Sequence, residues 1–197
     1  MTPTRLRPRW SDDVLATLYA QPHDHNLYGR GHGERVQKMI DHGVALVRAG
    51  EPITSIADLS CGNGHVARTI AAECNSDVHV ILGDFAPGYP YVGPIERTVD
   101  RLSQVNLFVC GETIEHLDDP EAVLRQVHDV TRWLVLSTPV ENWNDTNAEH
   151  YWAWSANDVT KMLQRVDFTV VKTDEVDSRP YGEPYLYGIW TAHVTRM

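Results

Sequence analysis

Cysteine is scarce in this chain. The three residues Cys61, Cys74 and Cys110 are odd in number, and none is paired at a spacing typical of metal sites. The pattern argues against a disulfide framework and predicts reduced thiols, as in cytoplasmic proteins. We interpret Cys61 and Cys110 as packing residues, because a buried thiol usually behaves as a small apolar side chain.

Long apolar runs and an excess of positive charge are also lacking. No run is long enough to span a membrane, and no apolar stretch follows the basic start MTPTRLRPRW as it would in a secretory signal. We therefore expect a cytoplasmic protein. The 17 Lys and Arg residues stand against 27 Asp and Glu residues, a net charge of −10. This deficit argues against a broad nucleic-acid-binding surface.

What the chain does have is an alternation of predicted strands and helices. Its 197 residues predict one domain, with an N-terminal helical cap over 1–50 and a core over 51–197. Helices are predicted at about 34–49, 65–74 and 120–130 and from Ser155, and strands at about 53–59, 78–82, 107–110, 133–138, 168–173 and 185–194. The pattern predicts an α/β doubly wound sheet with an antiparallel C-terminal hairpin.

Residues 58–67, DLSCGNGHVA, join the first core strand to a helix. Gly62 and Gly64 allow a tight turn and close approach of a ligand to the main chain, and the helix N-terminus offers free N–H groups. Asp84 ends the next strand, 20 residues after Gly64, where such folds place an acid for ribose hydroxyls. These residues predict a site for an adenosine-containing cofactor. Gly62-x-Gly64-x-x-Ala67 also fits the dinucleotide fingerprint, so a nicotinamide cofactor is an alternative.

At this point the sequence resembles the class I S-adenosylmethionine-dependent methyltransferases, whose first motif reads acid-x-Gly-x-Gly-x-Gly. Asp58-Leu-Ser-Cys-Gly-Asn-Gly64 matches it, with Ser60 in place of the first glycine. Similar segments follow in the family order at 80–85, 107–127, 134–140 and 149–163. The resemblance implies a Rossmann-like fold and S-adenosylmethionine as the methyl donor. The cofactor-binding residues that it implies are Asp58, Ser60, Cys61, Gly62, Gly64, Asp84, Phe85, Glu112 and Arg35.

The spacing after Asp84 departs from the family pattern. Only 21 residues separate Asp84 from Asn106, whereas the family normally places two helices and a strand there, with an acid for the adenine amino group. We therefore expect the third strand to be short or missing. An aromatic side chain of the loop Phe85–Tyr91 is expected to cover the adenine.

The segment after the strand at 107–110 bears on the acceptor. It lacks the Asn/Asp-Pro-Pro-aromatic and Pro-Cys motifs of nucleobase methyltransferases, and instead Glu112, Glu115 and His116 share one face of a helical turn. In one interpretation His116 and Glu115 are catalytic, and the imidazole, with a pKa near neutrality, takes the acceptor's proton. In the other, all three bind a divalent metal ion together with His150. A similar set binds a metal in the small-RNA 3′-end 2′-O-methyltransferases.

The segment HDHNLYGRGHGER (23–35) precedes the first core strand. In the family that the chain resembles, such segments often close over the methionine end of the cofactor. Arg35 or His32 is then expected at the cofactor carboxylate, and Tyr28 at the sulfonium as a cation–π partner. A solvated polar loop is the alternative.

Aromatic residues cluster after the strand at 133–138, where doubly wound sheets place the substrate crevice. We predict that His150, Trp152 and Trp154 bind the acceptor. The predicted function is O-methylation of a small-molecule or sugar-like acceptor. The alternatives are a metal-assisted RNA ribose 2′-O-methyltransferase, a nicotinamide-dependent oxidoreductase and a non-catalytic cofactor-binding partner protein.

Overall fold

The computed structural model describes residues 2–23, 29–74 and 77–195. The helices are α1 (Asp12–Leu18), α2 (Arg30–Arg48), α3 (His65–Ala72), α4 (Ile95–Thr98), α5 (Pro120–Val130) and α6 (Ala156–Arg165). The strands are β1 (Thr4–Arg5), β2 (Ser55–Asp58), β3 (His79–Asp84), β4 (Tyr91–Val92), β5 (Val105–Gly111), β6 (Thr131–Val140), β7 (Trp152–Ala153), β8 (Phe168–Asp177) and β9 (Leu186–Val194). None of the helices in these ranges is long and apolar enough to cross a membrane.

Seven strands form the main sheet in the order β4-β3-β2-β5-β6-β9-β8. The pairs from β4 through β6 are parallel, whereas β9 runs antiparallel to both β6 and β8. The predicted doubly wound sheet with an antiparallel C-terminal hairpin is confirmed. β4 pairs with β3 at the sheet edge and has only two residues, so the expected short third strand is also confirmed.

Alternate residues of the strands pack on opposite faces of the sheet, as strand geometry requires. Along β5, Leu107 and Val109 pack with α2 and α3, whereas Phe108 and Cys110 pack with α4, α5 and α6. This leaves the sheet covered by helices on both sides, which is the arrangement that a mostly parallel sheet needs. Ligand access is thereby directed to the ends of the strands.

Helix ends follow the sequence signals. Asp119 caps α5 by accepting the N–H of Ala122, with Pro120 at the first helical position. Ser155 and Asp158 form the reciprocal capping box of α6. The predicted starts of both helices are confirmed.

The N-terminal region contains an element that the sequence pattern does not predict. Thr4 and Arg5 pair antiparallel with Ala153 and Trp152 to form a separate two-stranded sheet. A strand of two residues is too short to show an alternation of apolar and polar side chains. Only the folded chain therefore reveals this pairing. The division into a cap over 1–50 and a core over 51–197 stays a prediction, although α2 packs on the main sheet through Met39 and Val44.

A buried histidine joins α2 to the C-terminal hairpin. The Nδ1 atom of His42 lies 2.8 Å from Thr191 Oγ1, and its Nε2 atom lies 2.9 Å from Asp174 Oδ2. Burial lowers the pKa of His42, although the hydrogen bond to Asp174 opposes the shift. The folded chain therefore binds the His42 proton less well than the unfolded chain does.

This linkage predicts a stability change with pH. The contribution of His42 is fully present above its unfolded-state pKa and is lost as the pH falls below it. We expect wild type to lose free energy of unfolding between about pH 8 and about pH 5 more steeply than His42→Leu. At the higher pH, His42→Leu should cost about 1–3 kcal/mol, because Thr191 and Asp174 lose their partner.

Urea unfolding at both pH values measures the effect. His79→Leu, at an exposed position at the start of β3, is the matched control and should follow wild type. Equal pH slopes for wild type and His42→Leu would contradict the assignment.

Candidate active site

A cavity of about 470 Å³ lies at the carboxyl ends of the central strands. Ser60 and Gly62 line it from the turn after β2, Phe85 from the loop after β3, and Thr113 from the segment after β5. The opposite wall is formed by the end of the N-terminal region, the start of α2, the β6–β7 loop (residues 141–151) and β9. The cavity therefore lies where doubly wound sheets bind their ligands, outside the carboxyl ends of the strands.

Asp84 holds the glycine turn in place. Its carboxylate accepts the N–H of Gly62 at 2.8 Å and the N–H of Ala86 at 3.1 Å. The Tyr89 hydroxyl donates to the Gly62 carbonyl at 2.6 Å, so both sides of the Gly62 backbone are fixed. Burial raises the pKa of Asp84, although these N–H contacts oppose the shift.

Six of the nine predicted cofactor residues line the cavity, namely Ser60, Gly62, Asp84, Phe85, Glu112 and Arg35. Asp58, Cys61 and Gly64 lie outside its lining. Asp58 is buried and accepts the N–H of Ser60 at 3.2 Å; burial raises its pKa to about 7. Cys61 is buried as well, and its thiol donates to the Gly62 carbonyl. Asp58 and Cys61 thus support the turn from behind.

Gly64 adopts a backbone conformation that favours glycine. Its φ is 76°, in the left-handed region, and it caps α3. An added Cβ would lie 2.7 Å from Leu82 Cδ1. Leu82 therefore fills the space that a Gly64 side chain would take, and the expectation that Gly64 lets a ligand approach the main chain stays a prediction.

Arg35 and Glu112 place opposite charges side by side on the cavity wall. The Arg35 Nε atom lies 3.9 Å from Glu112 Oε1, and Arg35 Nη1 donates to Ser137 Oγ at 2.8 Å. Glu112 has a φ of 50°, which non-glycine residues rarely adopt. Burial raises the pKa of Glu112, and the charge of Arg35 opposes the shift. His32 also lines the cavity, beside Arg35, whereas Tyr28 lies outside the described residues.

Glu115 and His116 have different surroundings from those expected. Glu115 is fully buried, and its Oε2 accepts the Thr138 hydroxyl at 2.9 Å. Its Oε1 has no hydrogen-bond partner among the described residues and lies 3.7 Å from His116 Nε2. Burial and the nearby Glu112 raise the pKa of Glu115 to about 8. Burial and the charge of His150 lower the pKa of His116 to about 3, so the expectation of a near-neutral pKa is wrong.

A second histidine, His150, has a carboxylate partner. Its Nδ1 atom lies 2.6 Å from Asp145 Oδ2, and both side chains belong to the β6–β7 loop. Burial opposes ionisation of Asp145, but the hydrogen bonds from His150, Asn142 and Asn147 outweigh it and lower its pKa to about 2. Because an ionised carboxylate only accepts, His150 Nδ1 carries a proton in both charge states, and Nε2 keeps a lone pair only in the neutral imidazole.

The surroundings of His150 favour its charged form. Burial lowers the pKa of His150, but the Asp145 hydrogen bond and the charge of Glu115 outweigh it, so the net shift is upward. Sequence reasoning missed Asp145. The available signal was an acid five residues before His150 in the Asn- and Asp-rich stretch ENWNDTN, a composition typical of side chains that bond local backbone.

The structure brings together three of the four residues predicted to bind a metal. One ligand atom each from Glu115, His116 and His150 lies within 4.8 Å of the others. Glu112 is not part of this group and accepts instead from Ser137 Oγ at 3.2 Å. The predicted four-residue set is thus reduced to three.

The two tryptophans predicted to bind the acceptor lie away from the cavity. Trp154 is buried in the core, and its Nε1 donates to the Pro139 carbonyl at 2.9 Å. Trp152 stacks on Trp154 with ring centroids 6.4 Å apart. Tyr185 and Tyr187 from the β9 side line the cavity instead, because the antiparallel hairpin brings Tyr185 beside His150 and Tyr187 beside Tyr185.

The Gly64 geometry leads to a stability prediction. Gly64→Ala should lower the free energy of unfolding by at least about 1–2 kcal/mol, since a left-handed conformation costs that much for a residue with a Cβ. The contact with Leu82 adds to the cost. Gly33→Ala is the matched control, because its Cβ would meet open space. Urea unfolding that shows no loss for Gly64→Ala would refute this interpretation.

The chain is similar to a known protein family and to several solved structures. The model of a family described as "Methyltransferase domain" matches residues 32–173. No curated protein sequence matches the chain.

Solved structures with a similar fold include three methyltransferases. Magnesium protoporphyrin IX methyltransferase from Synechocystis PCC 6803, with bound S-adenosylhomocysteine, is 15% identical, with a TM-score of 0.64 over 83% of this chain and 85% of that chain. An N-methyltransferase from Bradyrhizobium japonicum, in complex with S-adenosylhomocysteine, is 11% identical, with a TM-score of 0.68 over 94% of this chain and 100% of that chain. A small RNA methyltransferase is 16% identical, with a TM-score of 0.61 over 82% of this chain and 25% of that chain.

Proposed function

This chain belongs to the family of methyltransferase domains, and we propose that it transfers the methyl group of S-adenosylmethionine to a hydroxyl of a small-molecule or sugar-like acceptor. The observation that carries the proposal is the Asp145–His150 pair at the cavity that Gly62 and Asp84 also line. Family membership favours methyl transfer over the nicotinamide-dependent alternative. The sequence prediction of a class I methyltransferase is confirmed.

The residues proposed to bind the cofactor suit different chemical groups of S-adenosylmethionine. Asp84 is suited to the ribose hydroxyls and Phe85 to the adenine ring, and both line the cavity next to the Gly62 turn. Arg35 and Glu112 suit the carboxylate and the ammonium of the methionine end, because they offer one charge of each sign. Two structurally similar methyltransferases contain S-adenosylhomocysteine, which supports this choice of cofactor.

S-adenosylmethionine supplies an activated methyl carbon on a sulfonium when bound. The chain must then align the acceptor oxygen, exclude water and remove a proton. In its neutral form, His150 is placed to take that proton at Nε2, because Nδ1 donates to Asp145. Asp145 fixes the tautomer and stabilises the imidazolium that forms. His116, kept neutral by burial, is suited to hold the hydroxyl by hydrogen bonding.

The size and lining of the cavity support a small acceptor. Its volume of about 470 Å³ lies in the range of small-molecule sites. Tyr185 and Tyr187 offer apolar ring surface with polar tips, which suits a sugar or another hydroxylated ring. Glu149 and Glu183 also line the cavity and disfavour a polyanion such as RNA.

The first test concerns the cofactor. Asp84→Asn should weaken S-adenosylhomocysteine binding by about tenfold or more, because charge-assisted contacts to the ribose are lost. Calorimetric titration measures the affinity, and Asp77→Asn, at an exposed position, is the control that should bind as wild type does. Unchanged affinity in Asp84→Asn would contradict the proposal that Asp84 binds the ribose hydroxyls.

The second test concerns the proton acceptor. Screening small hydroxylated molecules with labelled S-adenosylmethionine should identify an acceptor, and His150→Gln should then lower kcat by about 10²–10⁴-fold. Asp145→Asn should also lower kcat, because the wrong tautomer of His150 becomes favoured. Affinity for S-adenosylhomocysteine should stay near wild type in both variants. Full turnover in His150→Gln would refute its role, and cofactor binding without turnover on any acceptor would favour the non-catalytic alternative.

We infer a metal-assisted RNA ribose 2′-O-methyltransferase as the second candidate function. The observation that favours it is the proximity of Glu115, His116 and His150, together with Glu115 Oε1, which has no hydrogen-bond partner within the described part of the chain. Two imidazoles and one carboxylate suit a divalent ion, and Asp145 would orient His150 from behind. A metal held by these residues would lower the pKa of a bound hydroxyl.

Metal content and chelator sensitivity distinguish the two candidates. The metal-assisted candidate predicts bound divalent metal in the purified protein, loss of the metal in His150→Ala and loss of RNA methylation with chelator. The main proposal predicts turnover of a small hydroxylated acceptor that survives chelation. Methylation of an RNA 3′ end in place of small molecules would overturn the main proposal.

A further inference from the structure

The β6–β7 loop is held by a segment far away in sequence. The N-terminal arm (residues 4–19) runs from β1 through α1 and contacts this loop at several points. Leu6 N donates to the Tyr151 carbonyl at 2.8 Å, and Trp10 N lies 3.1 Å from the Tyr151 hydroxyl. The Tyr19 hydroxyl donates to the Glu149 carboxylate. The wall of the cavity that carries His150 is therefore built from two distant parts of the chain.

Among the residues of the arm, Arg7 contacts Asp145, the hydrogen-bond partner of His150. One of its terminal guanidinium nitrogens donates to the Asn147 carbonyl and the other to the Asp145 carbonyl. The fixed fork of a guanidinium suits two carbonyls in this way, whereas an ammonium is a single point charge. Arg7 thus bridges the turn whose first residue is the partner of His150.

The turn between Asp145 and Asn147 is shaped by local hydrogen bonds. Among the hydrogen bonds of the described residues, one distant segment besides the arm reaches it, through the Tyr185 hydroxyl, which donates to Asp145 Oδ1 at 3.2 Å. Asp145 Oδ1 accepts the N–H of Asn147 at 2.8 Å, and Asn147 Oδ1 accepts the N–H of Glu149 at 3.0 Å. These hydrogen bonds shape the loop locally, and residues 141–151 contain no helix or strand. Local bonds of this kind set the curvature of a loop but do not fix it to a distant element.

The arm itself is anchored independently of Arg7. β1 pairs with β7 through its backbone, whereas the ion pair of Arg5 with Asp118 is solvent-exposed and adds little. Asp12 in α1 pairs with Arg97 at 2.7 Å. Arg7 therefore connects the loop to a segment that is already fixed at both ends.

We propose that Arg7 is a positioning residue. By donating hydrogen bonds to the carbonyls of Asp145 and Asn147, it holds Asp145 and His150 at a fixed position relative to the methyl donor. The inference rests on the proposed function in one respect: the pair must act on the acceptor for its position to matter. Arg7 contacts neither the glycine turn nor Asp84, so its effect is confined to the acceptor side of the cavity.

The test compares Arg7→Ala and Arg7→Lys with Arg5→Ala, a control on the same arm. In Arg7→Ala, backbone amides of residues 145–151 should exchange with solvent about tenfold faster or more, because the loop loses the two hydrogen bonds from Arg7. The NMR resonance of the His150 Nδ1 proton, sheltered by Asp145, should broaden or disappear. Arg7→Lys should recover part of both signals, and Arg5→Ala should resemble wild type.

Turnover gives a further readout with the acceptor found by screening. Arg7→Ala should lower kcat by about 10–100-fold, since small misplacements of catalytic groups have effects of this size. Its KM for S-adenosylmethionine and its affinity for S-adenosylhomocysteine should stay within about twofold of wild type. If Arg7→Ala fails to fold, Arg7→Gln provides the same readouts with one hydrogen-bonding group retained.

Two outcomes would overturn the inference. One is an unchanged His150 resonance and unchanged exchange in folded Arg7→Ala. The other is an equal loss in Arg5→Ala, which would mean that attachment of the whole arm matters and not Arg7. A wild-type protein that fails to bind S-adenosylhomocysteine would instead refute the proposed function, whatever the Arg7 variants show.

Discussion

The carboxylate of Asp84 accepts two backbone N–H groups, from Gly62 in the turn after β2 and from Ala86 in the loop after β3. This contact ties together the ends of two neighbouring parallel strands at the point where the cavity begins. Asp58 fixes the Ser60 N–H in the same manner, and Asp145 fixes that of Asn147. Three of the loops around the cavity are thus shaped by carboxylates that accept main-chain donors, which satisfies buried polar backbone without a strand partner.

These carboxylates lie in a region crowded with buried charge. Arg35 is the buried cation beside Glu112, and His150 lies between the charges of Asp145 and Glu115. Burial raises the pKa values of Glu112 and Glu115 and lowers that of His116, because desolvation disfavours the charged form of each group. Perturbed groups clustered in a cavity are typical of functional sites.

Residues from the N-terminal and the C-terminal parts of the chain both line the cavity. The central strands line one side of the cavity, and the N-terminal arm, the β6–β7 loop and residues near the start of β9 line the other. In the proposed function, the core of parallel strands holds the cofactor and the less regular segments select the acceptor. This division explains why a likeness of fold to other methyltransferases does not name the acceptor.

Local signals in the sequence determined the order of strands and helices, the caps of α5 and α6, the glycine turn with Asp84, and the short third strand. Each depends on periodicity, capping chemistry or chain length over a few residues, which a sequence displays directly. Tertiary structure alone decided the Asp145–His150 pair, the separation of Glu112 from Glu115 and His116, the burial of Trp154 and the contact of Arg7 with the β6–β7 loop. The reason is that hydrogen-bond partners and desolvation depend on which distant residues are packed together, and no local pattern specifies that.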